Sequence, residues 1–312
     1  MSGWFPQLSF CNLIIISNKF KEQNIITILD YFARTLRIQD SALIVMAEDK
    51  AKDILEASSP LDNISSFALQ KVLLKKPGFK RDVATSDIKS FCMGYYSDSK
   101  SSFMPIVKIK KVVSSSSQGS SSSNQSSGGQ SSQSQKEESV LFDAKTTALF
   151  YNGVKTGEIN EDLTLIYNLL THDFGDGTIE LKDVGLGINE NSNFLVHVEE
   201  NSHTLSLDVT DSEITLNISL NLYCKISDQD STSTDITFSD NLPLPREVES
   251  ALTKKLEQEI FDLIQHVKTS NCDIFKIKQK LYRYHNSKYN FYKDNCIQIF
   301  NPKINLKVSG QK

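Results

Sequence analysis

Apolar residues change their spacing repeatedly along this chain, and each change predicts an element. Asn12 to Ile16 is a short run of β-branched residues bounded by Ser17 and Asn18, the pattern of a buried strand. From Lys21 to Arg37 the apolar positions Ile25, Ile28, Leu29, Phe32 and Leu36 recur at helical intervals and predict one amphipathic helix. Ala42 to Ala47 reads as the next strand. A short helix from Asp49 to Ala57 should stop before Pro60, because the residue preceding proline is pushed out of the helical region. Ser65 and Asp87 are each placed to cap a further helix, the first running to Leu74. Strand, helix and parallel strand in this order predict a right-handed crossover. Pro105 to Val113 and Val140 to Tyr151 read as two more strands, one on each side of a serine-rich stretch.

Beyond these, Asn152-Gly153 is a hairpin signal. It leads to a helix capped by Asn160, with Leu163, Ile166, Tyr167 and Leu170 on one face. Between Thr178 and Ile226 the period becomes two. Leu205, Leu207 and Val209, then Ile214, Leu216, Ile218, Leu220 and Leu222, alternate with polar residues, which predicts antiparallel strands with one wet face. Pro245 suits the first position of a long helix striped by Val248, Leu252, Leu256, Ile260, Leu263 and Val267. Asn271 suits its end, Asp273 the cap of the next helix, and Lys303 to Val308 a closing strand. The predicted class is α+β: an N-terminal strand-helix-strand unit plus a C-terminal antiparallel sheet covered on one face by long helices.

Composition divides the chain. Ser114 to Gln135 has too little apolar surface to offset the entropy of ordering, and reads as a flexible polar tether between two neighbouring strands. This gives an N-terminal α/β segment over 1–113, a linker or loop insertion over 114–139 and a C-terminal α+β domain over 140–312. Charge divides it too. Residues 1–113 carry 16 basic and 11 acidic side chains, 140–245 carry 4 and 18, and 246–312 carry 13 and 7. The basic C-terminal stretch is thus mixed with acids, and with a net charge of −4 it gives no argument for nucleic acid. Five widely spaced cysteines without a CxxC form neither a disulfide framework nor a zinc ribbon, and read as buried thiols. No run approaches the roughly 20 apolar residues that span a bilayer, and Met1 to Pro6 lacks the regions of a signal peptide.

Candidate chemistry is sparse. His172 to Ile179 resembles a calcium loop only in its turn glycine, since Phe174 stands at an oxygen-ligand position. The Asp173-Phe174-Gly175 triplet lacks the other kinase motifs. His172, His197, His203, His266 and His285 have no metal-ligand spacing, and Glu257 and Glu259 face different sides of their helix. Lys280, Arg283 and Lys288 interleave with Tyr282, Tyr284 and Tyr289; this is a solvated helix face or a grip for phosphate or anionic lipid. No catalytic, cofactor or metal site is predicted.

One set of segments carries a resemblance. It comprises Phe10-Cys11-Asn12-Leu13-Ile14-Ile15-Ile16, Ile28 to Arg34, Ala51 to Glu56, Pro60 to Ile64, Thr147 to Ile159, Asn271-Cys272-Asp273-Ile274-Phe275, and Ile299 to Gly310. In order and spacing it resembles the C-subunits of Ger-type spore germinant receptors over nearly the whole chain outside the serine tract. Asn12 departs from the family's usual histidine, Lys276-Ile277-Lys278 replaces a turn containing glycine, and Cys296 stands near a usual tryptophan. The family begins with a lipoprotein signal and a lipid-bearing cysteine that this chain starts beyond, which reads as a truncated gene model or an anchorless relative. The resemblance implies a non-enzymatic, cofactor-free subunit at the outer face of the spore inner membrane. It would touch the membrane surface only indirectly, as an adaptor to membrane-embedded A- and B-type subunits. The other reading is a free-standing, envelope-associated binding module of the same fold. Arg34, Asp273, Ile274 and Phe275 are the expected positions of partner contact or structural importance, with Ile274 and Phe275 as core and Asp273 as cap the simpler account.

Overall fold

The structure, a computed structural model, describes residues 8, 10–35, 38–57, 59, 62, 64–74, 82–111, 140–172, 177–185, 191–230 and 244–310. Its first sheet has the order β1-β2-β3-β4-β5. The strands are β1 (Leu13–Ile16), β2 (Leu43–Ala47), β3 (Ser101–Lys111), β4 (Val140–Tyr151) and β5 (Val154–Ile159). The pairs β1–β2 and β2–β3 are parallel; β3–β4 and β4–β5 are antiparallel. Helix α1 (Ile25–Asp30) carries the chain from β1 to parallel β2, as the crossover pattern predicts. It is shorter than its apolar period suggests. Asn24 caps it by accepting from the Ile26 amide at 3.0 Å, and it passes into a π turn at Tyr31–Thr35; Leu36 and Arg37 lie outside the described residues.

Both faces of this sheet are covered. On one, α1 and α4 (Ile88–Tyr96) bury Ile25, Leu29 and Phe91 against Ile44, Met46, Met104 and Phe150. On the other, α2 (Ala51–Glu56) and α3 (Ser65–Leu73) bury Ile54 and Leu69 against Val45, Val107 and Phe142. Asp87 caps α4 as expected, accepting from the Ser90 amide at 2.6 Å. Ser65 does not cap α3. Its hydroxyl turns back to the carbonyls of Leu55 and Ala57, so it ties α3 to the end of α2 instead.

The expected tether from Ser114 to Gln135 lies outside the described residues. The strands on either side of it, β3 and β4, pair from Lys111↔Val140 to Ser101↔Tyr151. Residues 140–159 therefore complete the N-terminal sheet, and the break in composition falls within one sheet. At the β4–β5 turn Asn152 and Gly153 both have positive φ, 51° and 78°, the mirror-image turn that matches the twist of a two-residue hairpin.

The second sheet has the order β6-β7-β8-β9, from β6 (Gly177–Gly185), β7 (Asn191–Val209), β8 (Ile214–Asp230) and β9 (Asn301–Gly310). It is antiparallel through β8, but β9 lies parallel to β8. The expectation of an antiparallel sheet is corrected at this edge. The chain leaves β8 through four helices, a crossover long enough to return it in the same direction. Those helices are α6 (Arg246–Ser270), α7 (Ile277–Tyr284), α8 (Asn286–Tyr292) and α9 (Cys296–Ile299), and they follow α5 (Glu161–Thr171). Helices α5 and α6 lie between the two sheets, touching β4 and β5 on one side and the second sheet on the other. Every residue of the predicted α6 stripe, Val248 through Val267, is wholly buried. At about 1.5–3 kcal/mol for each fully buried aliphatic side chain, this stripe is a main source of the C-terminal half's stability. Pro245 is the N-cap of α6, one residue earlier than expected, and Asn160 caps α5 as expected.

All five cysteines are free thiols. Burial pushes the Cys224 and Cys272 thiols up to about 12 and Cys296 to about 11. The native protein at pH 8 should therefore react with a thiol reagent at no more than two positions, the half-buried Cys11 and Cys92, and at five after unfolding. A third fast-reacting thiol would contradict this packing.

Candidate functional site

The segment 271–277 joins the two sheets. Helix α6 ends because Asn271 takes the left-handed conformation, φ 51° and ψ 32°. The Asn271 amide donates to Lys268 O and the Cys272 amide to Val267 O, both at 3.1 Å, which satisfies two carbonyls of the last turn. The reversal swings Cys272 and Asp273 against the N-terminal sheet. The Cys272 thiol donates toward Phe150 O at 3.3 Å, and the Asp273 amide donates to Ser101 Oγ at 2.8 Å. Ser101 passes its own proton to Ser99 O at 2.8 Å.

Asp273 then caps α7. Its Oδ1 accepts from the Ile277 amide at 2.7 Å and its Oδ2 from the Lys278 amide at 2.9 Å. Burial raises its carboxyl above the ordinary 3.8, a push that these two amides and the nearby Lys280 and Lys278 ammonium groups only partly oppose. Burial also lowers the Lys280 pKa, though Asp273 counters it, and the Lys280 ammonium donates to Phe275 O at 3.1 Å. Between the two turns Phe275 is 2 % exposed and packs near Tyr167, with ring centroids 6.5 Å apart. Ile274 is also buried.

Lys276 has φ 57° and ψ 38°. A side chain in this left-handed region costs roughly 1–2 kcal/mol that glycine avoids. The turn is thus strained at this residue. Lys276→Gly should raise stability by about 0.5–1 kcal/mol, read as an increased urea midpoint. A lowered midpoint would show that the Lys276 side chain itself supports the turn.

A cavity of about 290 Å³ opens beside this junction. Its walls come from both halves: Ser86, Gly94, Ser101 and Ser102 from the first, Tyr167 and Asp273 from the second. Gly94 is required where α4 crosses β3. A Cβ there would meet Ser101 O at 2.2 Å and Ser102 Oγ at 2.6 Å. The Ser102 hydroxyl donates to Phe91 O at 2.7 Å and ties the same helix down.

Of the four residues expected from the sequence, the structure brings Asp273, Ile274 and Phe275 together, with Asp273 and Ile274 on the cavity wall. Arg34 is elsewhere. Its side chain is 78 % exposed and pairs with Asp30 one turn away at 2.5 Å. Such a pair is worth about 0–1 kcal/mol, so Arg34→Ala should leave the thermal midpoint within about 2 °C. The serine cluster at 97–102 is visible in the sequence as a motif, whereas nothing in the sequence distinguishes Ser86.

The basic, tyrosine-rich stretch also resolves into packing. His285 Nε2 donates to Leu207 O at 2.8 Å, Tyr292 to Thr210 O at 3.1 Å and Tyr289 to Asp98 at 2.8 Å; Lys288 pairs with Asp211. Helices α7 and α8 thus clamp the end of the β7–β8 hairpin. The His172 to Ile179 segment, read from the sequence as a turn and not a calcium loop, falls partly on 173–176, outside the described residues. Among the described residues no group of three or more His, Cys, Asp or Glu side chains is arranged to hold a metal.

Comparison with known proteins agrees with this fold. A family model described as a spore germination protein N-terminal domain matches residues 1–109. A second, described as spore germination B3/GerAC like, C-terminal, matches residues 145–310. The crystal structure of the GerBC protein is similar to this chain with a TM-score of 0.62, over 95% of this chain and 78% of that one. At 13% identity that likeness is one of fold. No curated protein matches by sequence.

Proposed function

The chain belongs to the spore germination B3/GerAC-like family, and from that membership we propose that it is a non-enzymatic subunit of a nutrient germinant receptor. The observation that carries the reading is the order of the two family models along one chain, which together leave out little besides the serine-rich stretch. In this role it is an adaptor at the outer face of the spore inner membrane, assembled with membrane-embedded A- and B-type subunits. Among the described residues no helix is long and apolar enough to cross a membrane.

The test is deletion of the gene in its spore-forming host, with nutrient-triggered release of dipicolinate as the readout. Release should fall in the deletion strain and return when this chain is supplied. Unchanged release, in a strain also stripped of parallel receptors, would remove the receptor role and leave a binding module of the same fold.

A further inference from the structure

We propose that the outer face of α2 and α3 docks on an anionic lipid surface. Helix α3 is apolar on two sides. Its inner side sets Ala68, Leu69 and Leu73 in the core against Val45 and Val107. Its outer side carries Ile64, Phe67 and Leu74, which are 52 %, 50 % and 59 % exposed. At about 3.6 residues per turn, these three positions and Lys71 fall within an arc of about 80°, a single stripe. Helix α2 extends it with Leu55, which is 54 % exposed. The Leu55 carbonyl accepts from the Ser65 hydroxyl at 3.0 Å, and this bond holds the two helices side by side. Single exposed apolar residues are ordinary, but four large ones on adjoining helices mark a surface that something covers.

Charge selects the occupant. Between Asp62 and Asp82 the chain carries Lys71, Lys75, Lys76, Lys80 and Arg81 and no acid. The last four of these follow Leu74, the end of the stripe, in the next seven residues of the sequence. Of the acids on the flanks, Asp62 pairs with Lys71 at 2.8 Å and Glu56 with Lys52 at 3.4 Å; Asp53, in the first turn of α2, is exposed.

An apolar stripe bordered by basic residues suits a bilayer with anionic headgroups. The apolar side chains enter the boundary of the acyl region, and the long lysine side chains keep their charges at the phosphates. A protein partner fits less well. Protein interfaces are depleted in lysine, and four of these five basic residues are lysines. The proposal needs only this face and stands apart from the receptor role. It makes contact with the membrane direct, where the resemblance implies an indirect one.

The experiment is co-sedimentation of the full chain with vesicles of phosphatidylcholine alone and of phosphatidylcholine mixed with phosphatidylglycerol, at low and high salt. The chain should bind the mixed vesicles, bind the neutral ones much less, and lose affinity as salt rises. Phe67→Ser and Leu74→Ser each remove a side chain of which only the exposed half is left to bury. Each should weaken binding about three- to tenfold, and the two together about tenfold or more, with circular dichroism unchanged. Phe291→Ser, at a ring exposed on α8 in the other half, should bind as wild type does. No binding to the mixed vesicles, equal binding to both kinds, or wild-type affinity in the double variant would overturn the proposal. So would a dimer in vesicle-free solution that Phe67→Ser dissociates, since it would give this face to a second copy of the chain. Loss of germination in the deletion strain reports separately on the receptor role.

Discussion

Phe275→Ala should destabilise the protein by about 3–5 kcal/mol, a large share of the roughly 5–15 kcal/mol that holds a typical domain folded. The residue is 2 % exposed, and its ring belongs to the core that α5, α6 and the second sheet build together. Few atoms nearby can close the space. Its backbone is fixed between the left-handed residues Asn271 and Lys276, and its carbonyl is held by Lys280. The cavity left by the ring would therefore stay open, which places the cost toward the upper part of that range. Phe275→Leu keeps most of the volume and should lose about half as much. A urea series on the three proteins checks this. A loss below about 1 kcal/mol for alanine would mean that the 271–277 turn can collapse, and that its geometry does not depend on this ring.

How much of this was legible beforehand follows from the range of each signal. The α6 stripe and the alternation from Ile214 to Leu222 are local periodicities, and the buried positions are those the period marks. Caps at Asp87 and Asn160 were legible for the same reason, since a cap and its amide lie within three residues. Ser65 was misread because its partners, Leu55 and Ala57, lie across a turn that sequence spacing does not describe. The parallel pairing of β9 with β8 joins residues 86 apart in the chain, so strand period alone could not give its direction.

The site was half legible. Asp273, Ile274 and Phe275 stood out as a step between two helices, and the structure places them at the joint of the two halves. Arg34 stood out by resemblance alone, and its exposed pair with Asp30 gives it only a surface contact among the described residues. Gly94 was invisible. Its importance arises from the close approach of α4 to β3, a long-range contact with no trace in local pattern. The left-handed Lys276 lies between these cases. The resemblance marked a missing glycine there, and the backbone angle supplies its physical meaning.

Asp273→Ala should cost about 3 kcal/mol, because it strips the acceptor from two amides at the start of α7. A lost cap is typically about 1 kcal/mol, and a buried amide left unpaired adds about 1–3 kcal/mol. Asp273→Asn keeps one acceptor and turns an amide against the other donor, so it should lie between wild type and alanine. The pH dependence of that difference tests the electrostatics. Burial raises the folded-state pKa of Asp273, so in the window above the ordinary carboxyl value the folded chain holds a proton that the unfolded chain releases. The contribution of this group is then fully present at acid pH and declines as pH rises through the raised value. The stability gap between wild type and Asp273→Asn should accordingly be widest in acid and narrow toward neutrality. Urea midpoints for both proteins at several pH values give the gap directly, since every other titrating group is common to the two. A gap that widened with rising pH would mean that the two amides and the lysines outweigh burial, and that Asp273 holds the junction as a fully ionised cap.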